Sequence, residues 1–278
     1  EDWGKNHAKE MRQLGVLRWA WDDDPAAREW IDKNDPATRA PLEHIWQDPE
    51  VKGVVIATPP KTHYRIAARA AMSAKYVFIE KPMTSTVREA EGIAFGSGNR
   101  LMVGHLMRYH PGFVKLSEIV KSGQLGTIEY IYANRLQPGR IRTEENSLWS
   151  LAPHDISMIT ALVGMPESVS CTGNIFRGKQ ADIVTATMKF SNETRGHFFV
   201  SWLHPRKERT LAVIGNKGSV IFSDCAYNSW ALQISDGPAT YYIDATPPLK
   251  EELEHFIECI ETGAKPLTDG EDGLRVVR

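Results

Sequence analysis

The sequence predicts an α/β protein of two parts: an N-terminal doubly wound parallel sheet, then a C-terminal α+β part with a mostly antiparallel, open sheet. Through residue 108, short apolar runs alternate with helical patterns, which is typical of strand–helix–strand units. From residue 127 onward, β-rich segments dominate. The 278 residues suffice for two cores. We therefore expect domains at 1–108 and 109–278, with the boundary between Arg108 and Pro111.

Apolar runs predict the strands of the first part, at 16–21, 51–57, 76–79 and 101–104. Helical patterns cover 42–46, 62–74 and 84–95. Asp24 followed by Pro25 is typical of a helix start, because aspartate caps a first turn and proline suits the first helical position. Strands that alternate with crossover helices indicate a parallel sheet with helices on both faces.

The second part has a different pattern, in which strands follow one another directly. We expect helices at 113–121, 155–162 and 249–261. We expect strands at 128–135, 169–176, 183–190, 194–202, 210–214 and 219–222. Turn residues at Asn192 and at 216–218 would join neighbouring strands as hairpins. A mostly antiparallel sheet follows from this order.

Composition narrows the class of partner. The chain is 42% apolar and 24% charged with a net charge of −2, which favours neither a nucleic-acid partner nor a membrane surface. Its apolar runs are too short to span a bilayer, and its first residues do not resemble a secretory signal. The three cysteines are scattered, and no metal-ligand spacing occurs. We therefore expect a cytoplasmic protein with reduced thiols and no metal site.

Unusual residues follow three of the predicted strands, at the edge where parallel sheets bind ligands. Asp22 is placed to bind a ribose hydroxyl, although it could instead cap the next helix, and Asp23 and Asp24 compete for either role. Thr58 precedes two prolines that would stiffen its loop. Lys81, in the stretch Glu80-Lys81-Pro82, could exchange protons near neutrality at the mouth of a low-dielectric crevice, or merely pair with Glu80.

The glycine loop of a dinucleotide-binding (Rossmann) unit is incomplete. Trp3-Gly4-Lys5-Asn6-His7 is similar to the end of such a loop where it enters its helix. Gly4 would be the last glycine, which allows close packing of helix on strand. Two more glycines and a strand should precede it, and a strand between Trp30 and Leu42 is not recognisable. We expect the full protein to carry segments that this sequence omits; the alternative is a degenerate homologue that does not bind the cofactor.

Four stretches together resemble the glucose–fructose oxidoreductase/inositol dehydrogenase family, Gfo/Idh/MocA: "WGKNHAK", "VVIATPPKTHYRIAARAAMSAKYVFIEKPMT", "LMVGHLMRYHP" and "LWSLAPHDISMI". The terminal "KPLTDGEDGLRVVR" fits as well. The stretch "GRIRTEENSLWSLAPHDIS" is similar to sugar-nucleotide oxidoreductases of bacterial surface-polysaccharide pathways. The resemblance implies a Rossmann domain, NAD as cofactor, a sugar or nucleotide-sugar substrate, and a homodimer or homotetramer formed through the sheet of the second domain.

The resemblance also implies roles for residues. Lys81 would reach both the nicotinamide and the substrate hydroxyl, and a cis Pro82 would turn it inward. Glu80 would line the nicotinamide pocket. The expected cofactor-binding residues are Trp3, Gly4, Asp22, Thr58, Pro59, His63, Glu80, Lys81 and Arg108.

His154 is the second candidate catalytic residue. Related dehydrogenases carry an aspartate four residues before this histidine, and this chain has Ser150 there. His154 could instead be a helix-capping histidine. Arginines in the preceding loop could bind a sugar or a diphosphate, or simply be solvated. The expected substrate-binding residues are Arg135, Arg140, Arg142, Asn146, Trp149, Ser150 and Asp155.

These observations predict NAD-dependent oxidation of a sugar alcohol, specifically the 3-hydroxyl of a nucleotide-linked sugar. Lys81 and His154 would form the proton-transfer pair, with the choice of base left open. One alternative is a ketosugar reductase that uses NADPH, against which Asp22 argues. Another is a catalytically silent sugar- or nucleotide-binding homologue, which Ser150 and the missing glycines favour and the retained Lys81, Pro82 and His154 oppose.

Overall fold

The computed structural model describes residues 2–34, 36–139, 141–143, 145–225, 230–234, 240–243 and 247–278. The helices are α1 (Asp2–Gln13), α2 (Pro25–Asn34), α3 (Leu42–Gln47), α4 (Pro60–Met72), α5 (Val87–Ser97), α6 (Pro111–Lys121), α7 (Ser147–Leu151), α8 (Pro153–Val163), α9 (Pro248–Thr262) and α10 (Gly270–Val277). The strands are β1 (Gly53–Ile56), β2 (Tyr76–Glu80), β3 (Leu101–Gly104), β4 (Ile128–Pro138), β5 (Ser168–Asn174), β6 (Ile183–Lys189), β7 (Arg195–Ser201), β8 (Leu203–Gly215), β9 (Gly218–Ser223), β10 (Trp230–Ile234) and β11 (Thr240–Ile243).

The chain divides into two compact units, one formed by Glu1–Gly104 with Leu249–Arg278 and the other by His105–Pro248. The sequence-based division ended the first domain at 108 and gave everything after it to the second. It therefore placed the C-terminal segment differently from the observed units. None of the helices that the structure describes is long and apolar enough to cross a membrane.

The first unit is built on a parallel sheet in the order β1-β2-β3. The central strand is apolar from Tyr76 to Ile79, as is typical of a sheet with helices on both faces. Phe78 and Ile79 of β2 and Leu101, Met102 and Val103 of β3 are completely buried. These strands lie where the sequence predicts them, and the parallel α/β expectation is confirmed.

The C-terminal segment joins the first unit by backbone pairing and close packing. The Val103 N–H donates to the Thr268 carbonyl at 2.7 Å, and the Thr268 hydroxyl donates to the Val103 carbonyl at 2.7 Å. Helix α10 then packs on α5, where a Cβ added at Gly270 would lie 2.9 Å from the Ala94 Cα. Helix α10 was not predicted from the sequence.

The apolar run at 16–21 does not form the predicted strand. Its one ladder contact among the described residues is an isolated parallel bridge between Ala20 and Arg39. Arg18 and Trp19 instead turn their side chains to Asp48, each donating at 2.6 Å to Oδ2. A β-strand needs a paired strand along its length, and residues 16–21 pair with another segment only at Ala20. The predicted strand at 16–21 is therefore wrong.

The second unit contains a sheet in the order β11-β10-β9-β8-β4-β7-β6-β5. Its described neighbours pair antiparallel except β4 with β7, which is parallel. Along β6 buried and exposed residues alternate, so one sheet face is covered and the other is open. Helices α6 and α8 contribute to the core on the covered face. The mostly antiparallel sheet is confirmed, although β10, β11 and α7 were not predicted.

Candidate functional site

Glu80 connects the end of β2 to the beginning of α1. The indole N–H of Trp3 donates to Glu80 Oε1 at 2.7 Å, and His7 Nε2 lies 2.7 Å from the same oxygen. The Lys81 backbone N–H donates to Glu80 Oε2 at 3.1 Å. Because a carboxylate only accepts, His7 carries its proton on Nε2. The Glu-Lys-Pro turn is thus fastened to the first turns of α1.

Glu80 is held as a carboxylate although it is buried. Burial acts to raise its pKa, but the His7 hydrogen bond, the charges of His7 and Lys81 and the Trp3 N–H together bring the pKa below its ordinary value. The Lys81–Pro82 peptide is cis, as the resemblance implied. Lys81 is partly buried and follows directly on this fixed charge.

His63 joins the loop after β1 to the turn after β2. It is completely buried, with Nε2 2.7 Å from the Thr58 carbonyl and Nδ1 3.1 Å from the Pro82 carbonyl. The Thr58 hydroxyl accepts from Thr62 at 2.7 Å, and Pro59 lies at the N-cap position of α4. His63 was expected to border the cofactor. In the structure its ring joins two neighbouring loops at the carboxyl edge of the sheet, and its place beside the cofactor stays a prediction.

Two of the three aspartates after residues 16–21, Asp22 and Asp24, make different contacts in the structure. Asp24 Oδ1 accepts from the Ala26 N–H at 3.0 Å and so caps α2. Asp22 Oδ1 accepts from the Asp24 N–H at 2.9 Å, and Arg28 donates to the Asp22 carbonyl at 2.9 Å. The cap is therefore Asp24. Asp22 lies in the preceding turn and is only partly buried.

Gly4 lies over the end of β1, but its packing does not require glycine. A Cβ built there would be 3.7 Å from the Cβ of Ala57, which is an ordinary contact. Trp3 beside it is 40% exposed while its indole N–H is bound to Glu80. The first turn of α1 thus presents an exposed aromatic face next to the edge at which β1 and β2 end.

In the second unit, His154 lies in the first turn of α8 and is partly buried. Ser150, which occupies the position of the family's aspartate, is buried in α7. Asn146 begins α7, because its Oδ1 accepts from the Trp149 N–H at 3.0 Å. The side-chain oxygen of Asn146 is thereby used as a helix cap, and Trp149 lies on the helix that it begins.

Arg135 and Asp155 form a buried, two-pronged ion pair. Arg135 Nε donates to Asp155 Oδ2 at 2.7 Å and Nη2 donates to Oδ1 at 3.0 Å, with both side chains at most 4% exposed. Burial opposes the charge on Arg135, but the Asp155 carboxylate raises the pKa of the guanidinium above its usual value. These two expected substrate residues therefore bind each other. The pair fixes the residue that follows His154 to β4.

Two of the other predicted arginines that the structure describes make contacts of their own. Arg142 Nη1 donates to Glu145 Oε1 at 2.7 Å near the surface. Arg108 lies in a 3₁₀ turn, with its guanidinium 5.9 Å from the centre of the Phe113 ring. Arg140 lies outside the described residues.

The sequence patterns did not single out His7, which contacts Glu80 in the first unit's site. His7 follows Trp3 by four residues on one helix, a spacing that places both side chains on the same face. That spacing was a usable signal.

Three features of the first unit fit a bound dinucleotide. The loops after β1 and β2 lie at the carboxyl edge of neighbouring parallel strands, which is where such sheets bind nucleotides. Helix α1 is fastened to that edge through Glu80. Trp3 leaves an exposed ring there. Residues that would hold a nicotinamide dinucleotide are Trp3, Asp22, Thr58, Glu80 and Lys81.

Comparison with known proteins agrees with this architecture. Residues 4–105 match the family model "Oxidoreductase family, NAD-binding Rossmann fold", and residues 113–221 match "GFO/IDH/MocA C-terminal domain". UDP-N-acetylglucosamine 3-dehydrogenase of Acidithiobacillus ferrooxidans is 31% identical, over 99% of this chain and 90% of that protein. The NAD⁺-dependent scyllo-inositol 2-dehydrogenase of Bacillus subtilis is 24% identical, over 95% of this chain and 78% of that protein.

A solved structure gives the same fold. The structure of UDP-N-acetylglucosamine 3-dehydrogenase from Acidithiobacillus ferrooxidans superposes on this chain with a TM-score of 0.87. The two chains are 24% identical, and the match covers 99% of this chain and 90% of that chain. At this identity the likeness establishes the fold alone. It agrees with the parallel N-terminal sheet and the mostly antiparallel C-terminal sheet described above.

Proposed function

The chain belongs to the GFO/IDH/MocA family of oxidoreductases and is an NAD(P)-dependent dehydrogenase acting on CH–OH groups; from this premise we propose that it oxidises a nucleotide-linked sugar at its 3-hydroxyl with NAD. The observation that carries the proposal is the Glu-Lys-Pro turn. It places Lys81 at the carboxyl edge of the sheet, next to a carboxylate held by three N–H groups.

In this mechanism the bound nicotinamide supplies the hydride acceptor. Lys81 moves the proton of the reacting hydroxyl, and His154 is kept as the second candidate proton-transfer residue, with the choice of base left open. The ionised Glu80 balances a positive charge on Lys81 and fixes the backbone that carries it. The Arg135–Asp155 pair acts indirectly, by fixing the first turn of α8 from which His154 projects.

We propose NAD as the cofactor on the basis of Asp22. A carboxylate at this position would accept from ribose hydroxyls and repel a 2′-phosphate. Asp22 is partly exposed in the turn before α2, and Asp24 rather than Asp22 supplies the helix cap. Because Asp24 fills the capping role, this arrangement supports the proposal for Asp22. An NADPH-dependent ketosugar reductase is the runner-up, since scyllo-inositol 2-dehydrogenase (NADP⁺) IolW of Bacillus subtilis is also among the relatives.

The proposal of a nucleotide-linked sugar is supported by the 31% identity to UDP-N-acetylglucosamine 3-dehydrogenase over nearly the whole chain. Of the expected substrate residues, Arg142, Trp149 and Ser150 keep that role in the proposal. Arg135 and Asp155 do not, because their side chains are buried against each other. We further propose that the open face of the second unit's sheet forms the homodimer or homotetramer interface.

The test is a panel of UDP-, GDP- and dTDP-linked sugars, together with free inositols and aldoses, incubated with NAD or NADP. NADH formation should occur with one nucleotide-linked sugar, and a transaminase that consumes 3-keto sugars should pull the reaction forward. Turnover of free sugars alone would contradict the nucleotide requirement. Equal rates with NAD and NADP would contradict the role of Asp22, and binding without turnover would favour the silent homologue.

A further inference from the structure

The loop between β5 and β6, residues 175–182, carries exposed side chains for which the reaction described above gives no role. Ile175 is 60% exposed and Phe176 is 65% exposed, so two large apolar side chains stand next to each other in solvent. Arg177 and Lys179 follow and are exposed as well. Neither cationic side chain forms an ion pair with a residue that the structure describes. The 175–182 loop thus presents an aromatic ring and two cations together.

A buried carboxylate at the end of the 175–182 loop holds its backbone. Asp182 is 0% exposed. Its Oδ2 accepts from the Phe176 N–H at 2.7 Å and from the Arg177 N–H at 2.8 Å. Its Oδ1 accepts from the indole N–H of Trp202 at 2.7 Å. The loop is therefore fixed from the inside while the side chains of Phe176 and Arg177 stay accessible. A fixed loop loses less freedom when a ligand binds to it.

The 175–182 loop lies at the end of the sheet from which the histidine motif begins. Leu136 of β4 pairs with Ser201 of β7, and Ser201 pairs with Ile183 of β6. The end of β4 and the start of β6 are therefore at the same end of the sheet. The Ser147 N–H, at the start of α7, donates to the Ala181 carbonyl at 2.9 Å. The loop is thus joined to α7, which leads into α8 and its candidate catalytic histidine.

A further contact joins the 175–182 loop to the arginine-bearing segment before α7. A Cβ built at Gly178 would lie 3.1 Å from Cγ2 of Ile141, so the two segments approach closely. Arg142 follows Ile141, and 53% of its side chain is exposed although it pairs with Glu145. Two loops of the second unit therefore lie side by side next to α7.

The exposed side chains of the 175–182 loop match the two parts of a nucleoside diphosphate. Any base can stack on an aromatic ring such as that of Phe176. A guanidinium and an ammonium bind ionised phosphate groups, and Arg177 and Lys179 supply one of each. In a nucleotide-linked sugar the diphosphate separates the base from the reacting sugar. The base therefore binds away from the catalytic group, and an exposed loop beside α7 suits that outer position.

We propose that segment 176–179 binds the nucleoside diphosphate of the substrate, with Phe176 stacked on the base and with Arg177 and Lys179 on the phosphates. These residues would distinguish a nucleotide-linked sugar from a free sugar. The proposal rests on the proposed function, because it assigns a binding site to that substrate class. It names residues of the second unit that neither the histidine motif nor the segment before it contains.

The first experiment measures binding of UDP, GDP and dTDP to the whole chain by calorimetry, with saturating NAD to fill the dinucleotide site. At least one diphosphate should bind the parent protein, and Phe176→Ala and Arg177→Gln should each weaken that binding by about 10-fold or more. Phe95→Ala removes an exposed ring of the first unit, and Lys121→Gln removes an exposed cation of the second. Both are matched controls and should bind like the parent. A parent that binds none of the three diphosphates, or parent-like affinity in both loop variants, would overturn the proposal.

The second experiment measures steady-state kinetics with the nucleotide-linked sugar identified from the panel. KM should rise by about 10-fold in Phe176→Ala and Arg177→Gln, while kcat changes far less, because the removed groups contact the nucleotide and not the reacting carbon. Sedimentation of the same variants checks for a second copy of the chain as the occupant. A changed oligomeric state with parent-like KM would overturn the proposal.

The two experiments separate failure of this proposal from failure of the proposed function. Turnover of a nucleotide-linked sugar with parent-like KM in both variants would contradict the loop assignment and leave the proposed function standing. Absence of turnover with every sugar of the panel, together with diphosphate binding that depends on Phe176 and Arg177, would contradict the proposed reaction and support the binding site.

Discussion

Glu80 fixes the backbone at Lys81 and joins it to α1. Its two oxygens receive three N–H groups, from Trp3, His7 and the Lys81 backbone. The sequence could place Glu80 at a strand end, because the apolar run before it is unmistakable. It could not show the contact with α1, since residues 73 and 77 positions apart carry no local signal of proximity.

The buried charges of the second unit illustrate a limit of residue-type reasoning. An arginine in a loop before a histidine motif suggested anion binding. The structure places Arg135 on β4 with its guanidinium bound to Asp155. Whether an arginine meets a ligand or a carboxylate of its own chain depends on long-range packing, here between β4 and α8, which sequence spacing does not reveal.

His110 should make the protein acid-sensitive. It caps α6 by accepting from the Gly112 N–H at 3.0 Å and packs on Phe222 with ring centres 4.8 Å apart. Burial lowers its pKa to about 4 from 6.5, although Asp224 acts in the opposite direction. The folded state therefore binds fewer protons than the unfolded state between these pH values. Stability should fall by about 3 kcal/mol as pH drops from 6.5 to 4.

Urea unfolding of the parent and of His110→Asn across this pH range tests the point. Asparagine retains an acceptor for the Gly112 N–H and does not titrate. Between pH 4 and 6.5, the slope of the unfolding free energy against pH should be smaller in the variant. The decrease should correspond to about one proton fewer taken up on unfolding, whatever the variant's absolute stability. An unchanged slope would mean that His110 is not the acid-sensitive group.

Among the elements, those with long uninterrupted apolar runs were predicted and those with short or mixed sequences were not. Strands β2 and β3 match the expected 76–79 and 101–104 closely. The run at 16–21 was also predicted as a strand, although Arg18 interrupts it, and it pairs at one residue only. Helix α10 escaped prediction because its eight residues show apolar periodicity over barely two turns and are stabilised by docking on α5 and β3.

The docking of α10 depends on a glycine at its start. A Cβ at Gly270 would lie 2.9 Å from the Ala94 Cα and 3.0 Å from Leu101 Cδ2, so Gly270→Ala forces backbone apart. We expect a loss of about 1–3 kcal/mol in the free energy of unfolding. Gly96→Ala in α5, where nothing lies within 4 Å of the added atom, is the control and should gain up to about 1 kcal/mol. Chemical denaturation of both variants and of the parent protein tests this expectation. If Gly270→Ala were as stable as the parent, the packing account would be contradicted.

For the whole molecule, the two-part architecture followed from the change in sequence pattern near residue 110, and the family models meet there as well. The sequence pattern did not show that the C-terminal segment Leu249–Arg278 packs with Glu1–Gly104 rather than with the second unit. This C-terminal segment therefore lies in the same unit as Glu80 and Lys81. A division read along the chain assigns these residues to different domains.

The central claim is that Lys81 moves the proton of a sugar hydroxyl, and Lys81→Met tests it most directly. Methionine keeps the length of the stem and removes the ammonium, and Lys33→Met on the exposed face of α2 is the matched control. With the nucleotide-linked sugar identified from the panel, kcat should fall by about 10²–10⁴-fold, while calorimetry should show NAD affinity changed far less. A kcat within about twofold of the parent would contradict the account, leave Lys81 as an ion-pair partner of Glu80, and shift the chemistry to His154.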